Sequence, residues 1–259
     1  MAASPNVGKT HPRYLRLLAN GYNLSGDMRA VGSAGTQFDQ ADASGWSDDT
    51  MQYLAGRGTV LLDGFTALFN NAATGTGPAL AGAHTVLKAG EGSIYASLFV
   101  GIRAAPAIGN PVLSATFEQA GYSVTGDGGG PMMLSASFTG SAVLASSASV
   151  WGTTLAAGTA LTGTTTNASV DNGASSANGY VAFLHVEQTT GAIASNTWAF
   201  VIEHSTNDSS FSTLATFTAT GNSITAERLE ATGTVNRYVR LVSTRTAGTA
   251  RPWVSFIRL

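Results

Sequence analysis

Cysteine is absent from this 259-residue chain. That excludes a disulfide frame and thiolate metal ligation, so the fold must hold by packing alone, and a reducing compartment suits it. Charge is scarce too. Asp, Glu, Lys and Arg make up 11% of the residues, against roughly 25% in ordinary globular proteins. The surface is therefore built mainly of Ser, Thr, Gly and Ala. Such a weakly self-repelling covering suits a protein packed against its own copies, although secreted β-sandwiches share it. Neither sign dominates: residues 1–150 carry 7 basic and 9 acidic side chains, and residues 151–259 carry 6 of each. Without a run of Lys and Arg to displace counterions from phosphates, tight sequence-independent nucleic-acid binding is not expected. No apolar run approaches the ~20 residues of a membrane-spanning helix. The opening MAASPNVGKTHPRYLR also lacks a signal-type apolar segment. The expectation is synthesis and retention in the cytosol.

What the chain does have is short apolar runs cut by turn residues. The length suits one large all-β domain or two ordinary ones. The first thirteen residues, with Pro5 and Pro12, read as a mobile arm. Tyr14 to Ala19 reads as an edge strand ended by the turn-forming Asn20-Gly21. Asp27 to Ser47 is poor in apolar residues and reads as a long loop, of the kind that is functional or orders on a partner. Ser47-Asp48-Asp49-Thr50 before Met51, Tyr53 and Leu54 suits a short helix stopped by Gly56 and Gly58. Thr59 to Thr66 follows as a buried strand bent at Gly64, and Asn70 to Ala83 as a loop.

Strands are then expected at His84–Lys88, Ser93–Ile102, Leu113–Val124, Met132–Thr139 and Ala142–Val150. Asp127-Gly128-Gly129-Gly130 makes a wide hairpin turn between two of them. A low-complexity region, Thr153 to Asn178, separates this meander from a second half, and a boundary is placed near residue 150. In the second half Val181, Phe183 and His185 alternate with Ala182, Leu184 and Val186, and Trp198, Phe200 and Ile202 share a face. With Leu214–Thr218, Ile224–Glu230, Val235–Ser243 and Trp253–Ile257, residues 151–259 read as a β-sandwich.

Patterns that could carry chemistry are weak. Ala3, Gly8, Lys9 and Thr10 match a relaxed phosphate-loop signature, but no strand precedes them and Pro12 follows closely. His185 and His204 could approach on adjacent strands, yet no carboxylate sits at metal-ligand spacing. His204, Ser205 and Asp208 lack the elbow that presents a nucleophile, and a turn over Ser205–Ser210 explains them better. Asp39, Asp42, Asp48 and Asp49 lack a calcium-loop pattern. In the strand carrying Arg237, Tyr238 and Arg240, a cross-strand salt link to Glu203 or Glu230 is expected. No catalytic residue, metal site or cofactor is assigned.

The stretch GYNLSGDM, a polar segment, GTVLLDGF, and then ATFEQAGYSVTGDGGGPMMLSASFTGSAV together resemble the major tail tube proteins of long-tailed, non-contractile bacteriophages. The resemblance spans residues 10–150. It implies a tail-tube-type antiparallel β-sandwich or half-barrel with a short helix. It also implies six copies per ring, and rings stacked into a tube through which DNA passes. Tape-measure, tail terminator and tail tip proteins would be partners, and the location would be the virion tail. The later segments FVIEHSTNDSSF and GTVNRYVRLVSTRTAGTARPWVSFIRL are similar to discoidin-like jelly-roll sandwiches, modules that often bind carbohydrate.

On this reading the chain is all-β, non-enzymatic and self-assembling. Subunit contacts are expected at Asp27, Arg29, Val31, Gln37, Phe38 and Asp39 in the polar arm, and at Thr74 and Thr76 in the following loop. A sheet with open edges must cap them or pair them with a neighbour, and a ring does the latter. The alternatives are a carbohydrate-binding tail or adhesin module and a capsid decoration protein.

Overall fold

Period-2 patterning over most of the chain leads to a nearly all-β architecture, a nearly closed barrel-like sheet with a second sheet beside it. The computed structural model describes residues 10–46, 49–72, 81–88, 92–141, 150–187, 197–221 and 223–259. The strands of the first half are β1 (Leu15–Ala19), β2 (Tyr22–Asn23), β3 (Met28–Ala30), β4 (Ser33–Asp42), β5 (Tyr53–Leu68), β6 (Ser93–Val100), β7 (Pro111–Thr125) and β8 (Met133–Ser141), with helix α1 (Ala83–Leu87) before β6. Then come β9 (Trp151–Ala157), β10 (Thr165–Thr166), β11 (Val170–Asp171), β12 (Tyr180–Glu187), β13 (Thr197–Ser205), β14 (Ser212–Thr216), β15 (Thr225–Ala231), β16 (Tyr238–Ala247) and β17 (Arg251–Arg258).

One sheet crosses from half to half in the order β15-β12-β17-β9-β7-β6-β1-β2, and the other is β10-β16-β13-β14 with β11 on β16. The large sheet forks at β7. Its start, Pro111–Leu113, pairs with β9, while Glu118–Thr125 pairs with β8, which in turn pairs with β5. The path nearly closes on itself through the β1–β2 turn. Asn20 (φ 47°) and Gly21 (φ 87°) are both left-handed, as a two-residue hairpin of the type I′ kind requires. A Cβ on Gly21 would stand 2.5 Å from the Thr225 carbonyl oxygen at the start of β15. Glycine is thus demanded twice there, by the turn and by the backbone it touches.

Two cores follow from this layout. Phe65, Phe117 and Phe138, with Leu17, Leu62 and Leu113, fill the first half. Trp198, Phe200, Leu241 and Phe256 lie between the two sheets of the second. β12 is buried on both faces. Ala182, Leu184 and Val186 enter the second core, and Val181 and Phe183 pack with Ile257 and Tyr95 toward the first half, in the two alternating sets that the sequence indicates.

Several expectations are corrected. Residues 27–42 are not a loop: β3 and β4 pair with β5, and β4 forms a long ladder from Ser33↔Asp63 to Asp42↔Tyr53. The short helix expected before Gly56 is instead the beginning of β5, a 16-residue strand that does bend at Gly64, where φ is +64°. His84–Lys88 is not a strand but lies in and just after α1, whose Ala83 N–H donates to Asp27 Oδ2 at 2.9 Å. Trp151–Ala157, whose greater part falls in the presumed low-complexity region, is strand β9 at the centre of the large sheet. The end of the presumed mobile arm is tethered, because the Thr10 hydroxyl donates to the Gly101 carbonyl and Pro12–Tyr14 forms a 3-10 turn. The expected strand at Ala142–Val150, apart from Val150, the phosphate-loop-like residues before Thr10, Asp48, and Thr74 and Thr76 lie outside the described residues.

Candidate assembly interface

Among the described residues, the β4–β5 hairpin is the feature that the rest of the fold leaves incomplete. β5 pairs with β8 from Leu68 back to Thr59. Beyond that point Tyr53–Gly58 pairs with β4 only, among the described residues. The result is a two-stranded ribbon extending past the sheet, and an isolated two-stranded ribbon is marginal in water. The outer edge of β4 has no strand beside it among the described residues, an open template for a further chain.

The ribbon end is internally well tied. Ala43 N–H donates to the Gln52 carbonyl at 2.8 Å, and Asp42 Oδ1 accepts from Ser44 N at 2.9 Å and Ser44 Oγ at 2.6 Å. These bonds, the hydroxyl first, hold the Asp42 carboxyl below its usual range, so it stays ionised. Phe38 is 50% exposed and Trp46 wholly exposed. Both are large apolar side chains that the described residues leave uncovered.

The expected contact residues separate into groups. Arg29, Gln37, Phe38 and Asp39 are exposed on β3 and β4. Asp27 is engaged within its own chain, accepting from Asn70 Nδ2 at 3.0 Å as well as from Ala83 N, and Val31 packs on the first core. Trp46 went unremarked in the sequence, although a lone tryptophan between Gly45 and Ser47 was the available signal.

A second polar centre lies buried where the halves meet. His185 Nδ1 accepts from Gly21 N–H at 3.3 Å, so the ring proton is on Nε2, which donates to Ser97 Oγ at 2.8 Å. Ser114 Oγ is 2.7 Å from both Ser97 Oγ and Ser255 Oγ. With one hydroxyl proton it donates to one and accepts from the other. Nearby, the buried Glu187 carboxylate accepts from Trp253 Nε1 at 2.8 Å and Asn23 Nδ2 at 3.4 Å. Desolvation lowers the His185 pKa to about 3.

Ser97 and His185 have the letters of a nucleophile and base, but the tautomer is wrong for it. An Nε2 that already bears a proton cannot take one from serine. The four residues are fully buried. The arrangement is a structural clamp between β6, β7, β12 and β17.

His185 and His204 are not neighbours. They lie in different sheets, and His204 Nδ1 accepts from Asn236 N–H at 3.2 Å. The expected link from Arg240 to Glu203 is present at 2.7 Å, with Phe211 3.6 Å beneath the guanidinium. Ser205 and Asn207 build the expected turn. Among the described residues no group of three His, Asp or Glu could hold a metal ion.

The chain matches no family model and no curated protein. Among solved structures it is similar to the Dit (gp 19.1) protein of SPP1, titled a paradigm of the hub adsorption apparatus in phages infecting Gram-positive bacteria. Identity is 8% and the TM-score 0.30, over 93% of this chain and 98% of that one. It is also similar to a structure of the infectious bursal disease virus Gx strain, with 10% identity and a TM-score of 0.25, over 94% of this chain and 55% of that one. Likenesses this distant carry no argument about function.

Proposed function

We propose that this protein is a non-enzymatic structural component of a phage tail, which self-associates into rings, six copies to a ring, that stack into a tube for DNA passage. The single observation that supports this reading is the β4–β5 ribbon, whose outer edge has no strand beside it among the described residues and whose Phe38 and Trp46 are exposed. In a lone molecule such an edge is a liability, whereas in an assembly a neighbour completes it. The resemblance of GYNLSGDM and GTVLLDGF to tail tube proteins supplies the kind of assembly. The arm imagined from the sequence becomes, on this reading, a preformed ribbon rather than a segment that orders only on binding. Tape-measure, terminator and tip proteins would be its partners in the virion.

A carbohydrate-binding role for the second half has less support, because two of its three tryptophans, Trp198 and Trp253, are buried and cannot serve as sugar-stacking platforms, leaving only Trp151 at the join, 39% exposed. The deciding experiment is negative-stain microscopy with light scattering on the purified full chain over a wide concentration range. Rings or tubes are expected. A protein that stays monomeric at every concentration would remove the proposal.

A further inference from the structure

The described arginines fall into two groups. In the second half Arg228, Arg237, Arg240 and Arg251 each meet a carboxylate, while Arg245 and Arg258 donate to main-chain carbonyls. In the first half Arg13, Arg16, Arg29 and Arg103 meet no carboxylate among the described residues, and Arg16 donates to the Arg13 and Leu15 carbonyls. Arg13 and Arg103 meet with His11 in one place, invisible to a count along the sequence because Arg103 arrives from the turn after β6. Thr10, His11, Arg13, Tyr14 and Arg103 line a cleft of about 300 Å³. Its walls are held in position. Thr10 Oγ1 accepts from Arg103 N–H at 3.3 Å, and Arg103 itself is left-handed at φ 62°, a conformation that non-glycine residues rarely adopt without compensation. The Arg13 guanidinium sits 4.5 Å from the Tyr14 ring centroid.

The ribbon has the opposite character. Asp39, Asp42 and Asp49 are exposed on the segment that carries Trp46, and from Val31 to Gly58 Arg57 is the one basic residue. Strand register sets both features at one end of the sheet. Leu15 pairs with Val100 and Phe99 with Val112, so the cleft lies at the Pro111 end of β7. Glu118 pairs with Thr139 and Thr139 with Leu61, so β5 runs from Leu61 back toward that same end, and the ribbon tip projects past it. Between β1 and β4 along the sheet lie five strand spacings, ~24 Å at ~4.8 Å each. No hydrogen bond or ion pair joins the two features among the described residues.

We propose that the cleft formed by Thr10, His11, Arg13, Tyr14 and Arg103 in one copy receives the acidic, Trp46-bearing ribbon tip of a laterally adjacent copy. This inference rests on the self-association reading and specifies its contact. Carboxylates meeting guanidinium groups form charge-assisted hydrogen bonds, and the Trp46 face offers a cation–π seat to an arginine. Two different surfaces on the same rim make a head-to-tail lateral contact, the kind that closes a ring when repeated.

The test is a charge swap in the full chain, read by light scattering over a concentration series at low and high salt. R13E/R103E alone, and D39R/D49R alone, are each expected to raise the half-assembly concentration about tenfold or more. All four changes together should bring it back toward the unaltered value. Assembly of either pair like the unaltered protein overturns the proposal, as does failure of the combined variant to recover while its circular dichroism remains native. Should reversal disturb folding, the neutral pair R13Q/R103Q takes its place. It is expected to weaken assembly and to flatten the salt dependence, and unaltered assembly overturns the contact. Failure of the unmodified chain to assemble removes the parent reading and this contact with it, and is seen before any variant is made.

Discussion

Among the described residues, the exposed large apolar side chains Phe38, Trp46, Met51, Ile102, Val124 and Met132 precede residue 150 and Trp151 stands at the join, whereas the four carboxylate–arginine pairs all follow it. The second half satisfies its charges internally and buries Trp198, Phe200 and Trp253. The first half has an equally full core, Phe65, Phe117 and Phe138 among it, yet leaves both apolar and charged groups at its surface. The contrast teaches that these halves differ in what remains outside the core, and the proposed self-association would draw on the first half.

The strongest way to break the comparison is to open the junction on which both halves depend. Gly21→Ala forces a Cβ to within 2.5 Å of the Thr225 carbonyl at a left-handed position, so a loss of about 3 kcal/mol in unfolding free energy is expected. Denaturant titration with coincident signals from Trp198 and Trp253 environments would check it, and a change under about 0.5 kcal/mol, the scatter of ordinary surface substitutions, would show that the closure is not structural.

Next comes pH. The folded His185 pKa, held at about 3 by burial, lies below the ordinary value of 6.5. The unfolded chain therefore takes up a proton that the folded one refuses. Its contribution to stability is fully present above pH 6.5 and is lost as pH falls toward 3. Between pH 6.5 and 5 the expected loss is about 2 kcal/mol, at ~1.4 kcal/mol per unit. In His185→Gln that part of the slope should vanish, and an unchanged slope would assign the acid sensitivity elsewhere.

A smaller and separable effect is expected at the ribbon. Phe38→Ser with Trp46→Ala should leave unfolding free energy within about 0.5 kcal/mol of the parent, since both side chains are exposed, while weakening assembly about tenfold. Equal assembly would place the contact on another surface. Smallest of all is Glu230→Gln. Its pair with Arg228 is at the surface, so a change below about 0.5 kcal/mol is expected by the same denaturant titration. A larger loss would mean the second half depends on its ion pairs more than its burial suggests.

The sequence by itself determined the β character, the Asn20-Gly21 turn, the two faces of Tyr180–Glu187 and the Arg240–Glu203 link. Each of these depends on patterns a few residues long or on matched charges in neighbouring strands. Tertiary structure alone decided that Ser33–Asp42 is a strand. Its Gly, Gln and Asp residues carry no apolar alternation, and it is the ladder with β5 that makes it extended. The same holds for α1, where His84, Thr85 and Val86 read as strand residues. Helix prevails because the chain must turn at Gly82, whose Cβ position is filled by the Asn70 carbonyl, and because Asp27 caps the first amide. The His185–Ser97 clamp and the Arg13–Arg103 cleft likewise join residues about 90 positions apart. No local periodicity records such a meeting, because it is set by which strands pair and in what register.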